Sequence, residues 1–316
     1  MPVEAAGGAV RVGVVGAGAM GRNHVRLLAA LPGARLSGVY DLRPEAAAAA
    51  AREHGARAFD CLEELAAESE AAVVAVPTSA HLEVGCELLG RGLHLLVEKP
   101  LASELGDADR LIERARAAGR LLAVGHVEFF NPAVQALLAL GMPPRFVEVQ
   151  RLAVFSPRSL DVDVVLDLMI HDLQILHALD PSPLAEVRAT GVPVLSPRTD
   201  IANVRLELAS GCVANLTASR VSAERVRKLR VFGPSRYYSL DYHAQQIHGY
   251  RLEEGGMGRR IVPDDLAVER AEPLCRELAA FVDACRGGAA GRSVDGEAGR
   301  RALASALQVM AAIRQV

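Results

Sequence analysis

Val12-Gly13-Val14-Val15-Gly16-Ala17-Gly18-Ala19-Met20-Gly21 reads as a short buried strand, a glycine turn and the first turn of a helix. The spacing Gly16-x-Gly18-x-x-Gly21 gives each glycine its own task. The first makes a tight turn, the second leaves a path for a pyrophosphate to reach backbone N–H groups, and the third lets helix pack closely on strand. A helix that begins there turns its positive end to the turn and offers an anion the N–H groups around Ala19 and Met20. Asn23 to Ala30 continues helix-like, and a second strand, Ala34 to Tyr40, ends in Asp41, 20 residues after Gly21. An acid at that strand tip accepts hydrogen bonds from both ribose hydroxyls of an adenosine and repels a 2'-phosphate, which favours NAD over NADP. Arg43, two residues on, suits either a 2'-phosphate or stacking on adenine, and both readings stay open.

Outward from this stretch, strands and helices alternate. Pro44 opens an alanine-rich helix, Glu45 to Glu53, and a short helix follows over Glu63 to Ser69. The strand 71–76 closes on Pro77 and Thr78; then come a helix over 80–89, a strand over 93–97, a helix over 105–118 and a strand over 121–124. Such alternation predicts α/β architecture: a doubly wound parallel sheet filling residues 1–126. After His126 the pattern changes. Asn131-Pro132 starts a short helix, and segments at 146–151, 185–191, 201–209, 212–219, 227–232 and 236–240 read as β, before two closing helices, 273–285 and 296–314. Residues 127–316 are therefore expected to form an α+β domain on a large, mostly antiparallel open sheet. A sheet of that kind has a face or edge to cover, so a homodimer or homotetramer is expected.

The 316 residues are 51% hydrophobic and 23% charged, with a formal net charge of -3, and carry neither a basic bias toward nucleic acid nor tryptophan for base stacking. The first ten residues lack the apolar core of a signal peptide, and no stretch reaches the ~18 consecutive apolar residues of a membrane span. Five scattered cysteines without C-x-x-C spacing argue for free thiols in a reducing, cytoplasmic setting, and against a zinc knuckle.

Three groups of residues carry chemistry. Glu98-Lys99-Pro100 ends a parallel strand at the sheet's ligand edge, where an amine can take or hold a proton near neutrality. Asp167-Leu168-Met169-Ile170-His171 lies in a helix expected over 164–179, and its i, i+4 spacing sets a carboxylate and an imidazole on one face. A capped core histidine and a metal pair are the competing readings; no third ligand is evident, so no metal is expected. The third is a basic set, Arg151, Arg158, Arg220, Arg225, Arg227, Lys228 and Arg230, from which one or two forks would suit a substrate diphosphate.

With the glycine turn, Glu98-Lys99-Pro100 and Asp167-x-x-x-His171 in one chain, the sequence resembles the glucose-fructose oxidoreductase / inositol dehydrogenase / rhizopine catabolism (Gfo/Idh/MocA) family along essentially its whole length. That resemblance implies a dinucleotide-binding Rossmann domain with bound NAD or NADP, and a second domain whose open sheet serves oligomerisation. It implies Lys99 as the active-site lysine, Asp167 as a substrate-orienting acid and His171 as the general acid/base. Pro77, Thr78 and His81 match the family's cofactor-contacting turn and the helix after it, and Glu98 joins them. The stretches 125–132 and 161–168 look like the branch formed by UDP-N-acetylglucosamine 3-dehydrogenases, with Phe129 where that branch commonly carries Arg. Glu128, Asn131 and Arg158 accordingly join Lys99, Asp167 and His171 as expected substrate-binding residues. The implied activity is oxidation of a secondary sugar hydroxyl, with a nucleotide sugar as substrate. A free polyol or inositol dehydrogenase and a non-catalytic NAD-binding protein are the rivals.

Overall fold

The computed structural model describes residues 8–155, 162–255, 258–288 and 293–315. The chain divides into two compact units: residues up to His126 together with Leu274–Arg300, and Val127–Pro273 together with Arg301–Val316.

The first unit alternates as expected: β1 (Val10–Val15), α1 (Ala19–Ala30), β2 (Ala34–Tyr40), α2 (Pro44–Arg52), β3 (Arg57–Ala58), α3 (Leu62–Glu68), β4 (Ala71–Val74), α4 (His81–Gly90), β5 (His94–Glu98), α5 (Leu105–Ala118) and β6 (Leu122–Gly125). Among the described residues these strands form a six-stranded sheet of order β3-β2-β1-β4-β5-β6, parallel throughout. The order reverses between β1 and β4, the place where sheets of this class leave a ligand crevice beyond the strands' carboxyl ends. β4 is buried at every position and β5 at all but its first, as suits strands covered on both faces.

Two glycines of the opening turn are sterically fixed. Gly16 has φ +97°, and a Cβ there would stand 2.5 Å from the Ala75 carbonyl oxygen. A Cβ on Gly21 would stand 1.8 Å from the Gly16 carbonyl oxygen, so α1 can approach the turn only without one. Gly21→Ala is expected to lower stability by about 1–3 kcal/mol, the usual range for overpacking, as read by urea denaturation.

The second unit carries α6 (Pro132–Ala139), β7 (Phe146–Val154), α7 (Ile170–Leu179), β8 (Leu184–Val192), β9 (Ile201–Leu208), β10 (Val213–Ser222), β11 (Val226–Gly233), β12 (Arg236–Asp241), β13 (Gln246–Gly255) and β14 (Gly258–Pro263). Two helices close the chain, α8 (Pro273–Cys285) and α9 (Gly296–Ala312), followed by β15 (Ile313–Gln315). Among the described residues nine strands form a second sheet, β14-β13-β12-β11-β7-β10-β9-β8-β15, antiparallel except where β10 meets β7 and β15 meets β8. Its strands alternate: in β9, Ala202, Val204, Leu206 and Leu208 are buried while Asn203, Arg205 and Glu207 face out. The buried face joins Leu137, Ile170, Leu173 and Ala306 in one apolar core.

Three features depart from the sequence reading. Leu274–Arg300 belongs to the first unit rather than the second, because its partners lie there: the Val124 N–H donates to Val294 O at 2.8 Å, and Arg300 Nη2 to Asp109 Oδ2 at 3.0 Å. The helix expected over 164–179 is in two parts, a π-helical stretch Val165–Met169 running into α7. The β13–β14 hairpin and β15 were not expected. β14 is exposed at nearly every position, so it lacks the alternation that marks a strand.

Candidate functional site

In the first unit the glycine turn forms a cradle. A Cβ on Gly18 would meet nothing within 4 Å, and Gly18 starts α1 without a side-chain cap. Gly18, Ala19 and Met20 are exposed there, so the first-turn N–H groups face an open space bare of side chains. Beside it, Asp41 is a fixed carboxylate. Its Oδ2 accepts from the Ala17 N–H at 2.7 Å, and its Oδ1 from the Arg43 N–H at 2.9 Å and Arg43 Nε at 3.4 Å. Partial burial opposes its charge, but the two backbone donors and the Arg43 guanidinium outweigh burial and hold it below the usual aspartate range. The open cradle at a helix N-terminus and the ionised acid one strand away fit a dinucleotide: the cradle for its pyrophosphate, Asp41 for its adenosine ribose.

Around the next two strand ends, exposed Pro77 precedes a single 3-10 turn, Thr78–Ala80. His81 is 1% exposed, with Nε2 3.0 Å from Val76 O and Nδ1 3.0 Å from Pro100 O; the neutral ring has one N–H and donates it to one of these two carbonyls. It sits between the segments that follow β4 and β5. Burial, the larger influence, keeps its pKa below the ordinary histidine value against those carbonyls and Glu98. Glu98 is likewise buried, its Oε1 2.7 Å from His24 Nε2. Lys99 follows it, half-buried, joined to Pro100 by a cis peptide bond. Lys99 stands near His126, a fully buried ring that desolvation first, and the Lys99 charge second, push down to about 3; that histidine is a neutral neighbour.

In the second unit Asp167 sits half-buried in the π-helical stretch, and His171 is 8% exposed at the start of α7. A π turn inserted in a helix frequently marks a functional position, because the extra residue re-aims the side chains around it. What fixes this helix is its neighbour Asp172. Arg151, from β7, donates Nε and Nη2 to the two Asp172 oxygens at 2.7 Å each, and Nη1 to Glu128 Oε1 at 2.8 Å. Arg227 adds a bond to the same Glu128 oxygen at 3.1 Å, and the Tyr242 ring lies 5.0 Å under the Arg151 guanidinium. Burial pushes Asp172 above the usual aspartate value even with Arg151 beside it, while Asp172 and Glu128 hold Arg151 well above its own.

Several expected site residues thus have structural occupations. Glu128 is a member of the buried ion network, 7% exposed. Asn131 caps α6, its Oδ1 accepting from the Ala133 N–H and its Nδ2 donating to Tyr242 O. Arg158 lies outside the described residues. Of the basic set, Arg151 is buried in the network and cannot meet a diphosphate. Arg220 is 5% exposed, pairs with Asp200 at 3.6 Å and donates to Val162 O. Arg230 pairs with Glu148 at 2.7 Å. Arg225 and Lys228 are exposed. Sequence reasoning passed over Asp172, although its signal was there: an acid next to His171 and an arginine at a buried position of an alternating strand.

Residues 10–126 match the GFO_IDH_MocA family model, described as an oxidoreductase family with an NAD-binding Rossmann fold. Along 311 residues the chain is 41% identical to UDP-N-acetylglucosamine 3-dehydrogenase of Acidithiobacillus ferrooxidans, covering 96% of this chain and 97% of that one. It is 31% identical to inositol 2-dehydrogenase of Rubrobacter xylanophilus over 67% of this chain and 65% of that one. A solved structure of UDP-N-acetylglucosamine 3-dehydrogenase GnnA from Acidithiobacillus ferrooxidans superposes with a TM-score of 0.89 at 39% identity, covering 96% of this chain and 98% of that one.

Proposed function

Because the chain belongs to the Gfo/Idh/MocA family of NAD-binding Rossmann oxidoreductases, we propose that it oxidises the C3 hydroxyl of UDP-N-acetylglucosamine, with NAD as its cofactor. The observation that carries this reading is the 41% identity along nearly the whole of both chains to an enzyme of that name. When bound, NAD supplies the hydride acceptor. The chain's own residues supply the rest. Gly16, Gly18 and Gly21 leave the helix N-terminus open to the pyrophosphate, and Asp41 accepts from the ribose. Pro77 and Thr78 border the cofactor. Asp167 orients the substrate hydroxyl, and Lys99 and His171 are the two candidates for the one group that takes its proton as the carbon loses hydride.

NADH absorbance with UDP-N-acetylglucosamine, glucose or inositol as sole substrate tests this. Turnover confined to the nucleotide sugar is expected. Turnover with inositol alone would instead favour the polyol reading that the Rubrobacter xylanophilus relative supports. For the cofactor, Asp41→Ala is expected to weaken NAD binding about tenfold or more, the loss of a charge-assisted hydrogen bond, and to weaken NADP less. Fluorescence titration with both dinucleotides reads that difference.

The open edges of the nine-stranded sheet support a homo-oligomer, dimer or tetramer, which light scattering measures. Five unpaired cysteines support a reducing, cytoplasmic setting. Among the described residues no helix is long and apolar enough to cross a membrane.

A further inference from the structure

The ion network around Asp172 leaves one of its cations half used. β11 runs antiparallel to β7, and in that register Arg227 stands directly opposite Arg151. Like charges opposed across two strands repel, so the pairing needs something to offset it. Glu128 supplies part of that offset: Nη1 of each arginine donates to the same oxygen, Oε1, at 2.8 Å from Arg151 and 3.1 Å from Arg227.

The two guanidinium groups are otherwise unlike. Arg151 also spends Nε and Nη2 on the two oxygens of Asp172, so all three of its nitrogens are bonded, and its side chain is 3% exposed. Arg227 makes only the one bond among the described residues, and its side chain is 35% exposed. One arm is therefore fixed on a buried carboxylate, and the N–H groups of Nε and Nη2 are left for an acceptor from solution. The backbone beneath is fixed as well, since the Tyr242 N–H donates to Arg227 O at 3.1 Å.

The surroundings of Arg227 favour an anion. Burial, the larger influence, and then the charges of Arg151 and Arg225 lower its pKa below the usual arginine value, while Glu128 and Asp172 oppose them. Arg227 included, that is three cations to two carboxylates. An incoming anion relieves the repulsion and completes the fork with charge-assisted hydrogen bonds. The rest of the basic set is less suited to this. Arg151 is closed, and Arg220 and Arg230 are paired with Asp200 and Glu148. Arg225 and Lys228 are exposed, and a long exposed side chain must be immobilised at the moment of binding, whereas Glu128 has already ordered Arg227.

We propose that Arg227 binds the diphosphate of a nucleotide-sugar substrate, with Glu128 fixing one arm of its guanidinium and the remaining N–H groups donating to phosphate oxygens. The inference deepens the nucleotide-sugar reading and rests on it. It makes Arg227 the residue that tells a nucleotide sugar from a free polyol, which brings no anion to the fork.

Calorimetric titration with UDP, at saturating NAD so that the dinucleotide cradle is filled, tests this. Arg227→Met is expected to weaken UDP binding about tenfold or more, the scale of losing hydrogen bonds to a charged group. Arg227→Lys keeps the charge but not the fork and is expected to weaken it less. In turnover, Arg227→Met should raise KM for UDP-N-acetylglucosamine by a similar factor while kcat stays within about threefold, because a contact made alike in ground and transition states adds to binding and not to the chemical step. A fall in kcat with KM unchanged would mean that Arg227 serves only to hold Glu128 and the Arg151–Asp172 pair, and overturns the assignment. Should the methionine protein not fold, the lysine protein decides by the same two quantities. UDP bound by the wild type and equally well by both variants removes Arg227 from the substrate site and leaves the nucleotide-sugar reading standing; wild-type protein that binds no UDP removes that reading, and the assignment with it.

Discussion

Lys99→Ala and His171→Asn are each expected to lower turnover by about a hundredfold or more while leaving NAD affinity nearly unchanged, the scale of losing an acid/base group. The expectation for binding follows from placement. The glycine cradle and Asp41 lie on β1, α1 and β2, whereas Lys99 lies beyond β5 and His171 on α7 of the other unit. Lys99 is half-buried, and His171 leaves the Asp172–Arg151 pair beside it untouched. Removing Lys99 also takes a positive charge from the side of His126. Burial is the larger of the two causes that keep His126 neutral, so that ring stays uncharged, and the loss reads on Lys99 itself. Stopped-flow NADH formation, with NAD affinity measured separately by fluorescence, separates the two quantities. If both proteins turn over like wild type, neither group moves the proton. If one alone is impaired, that group is the proton acceptor and the other a neighbour.

What the sequence made legible was what a few consecutive residues decide. The glycine turn, the acid at the tip of β2 and the lysine after β5 are each written in fewer than ten residues, and the backbone holds them where that local grammar says. Asp167 and His171 were legible as a spacing, but the π-helical stretch between Val165 and Met169 was not, since the same residues suit an α-helix equally well. The burial of Glu277 on α8 was invisible for a related reason. A lone acid in an amphipathic helix reads as surface, and only the return of α8 to the first unit turns that face inward. Arg151 misled in the same way. In an alternating strand a basic residue looks like a solvated face or a phosphate fork, yet its partners Glu128 and Asp172 stand 23 and 21 residues away in the chain. Pairing over that separation depends on how β7 and α7 pack, which no local pattern encodes.

That same network carries the largest expected effect on stability. Arg151→Met keeps most of the side-chain volume but strips two buried carboxylates of their shared cation. Removing one partner of a buried ion pair costs about 3–5 kcal/mol, far more than breaking an exposed one, because the charge left behind has no water to turn to. Asp172 is expected to suffer most. Both of its oxygens are bonded to Arg151, whereas Glu128 retains Arg227 at 3.1 Å. The pH dependence carries the diagnosis. In the wild type, burial already raises Asp172 above 3.8 in the folded state, so its contribution is fully present below that value and falls as pH rises. Without Arg151 the folded-state value climbs further, the folded protein holds its proton to higher pH than the unfolded chain does, and stability declines more steeply. The gap between variant and wild type should therefore be smallest near pH 4 and widest near pH 8 in urea denaturation. A gap that does not change with pH would mean that lost packing, not an orphaned carboxylate, is responsible. Arg151→Met combined with Asp172→Leu supplies the complementary measurement. If the buried charge is the cause, the double variant should be more stable than Arg151→Met alone, since it removes the stranded acid along with its partner.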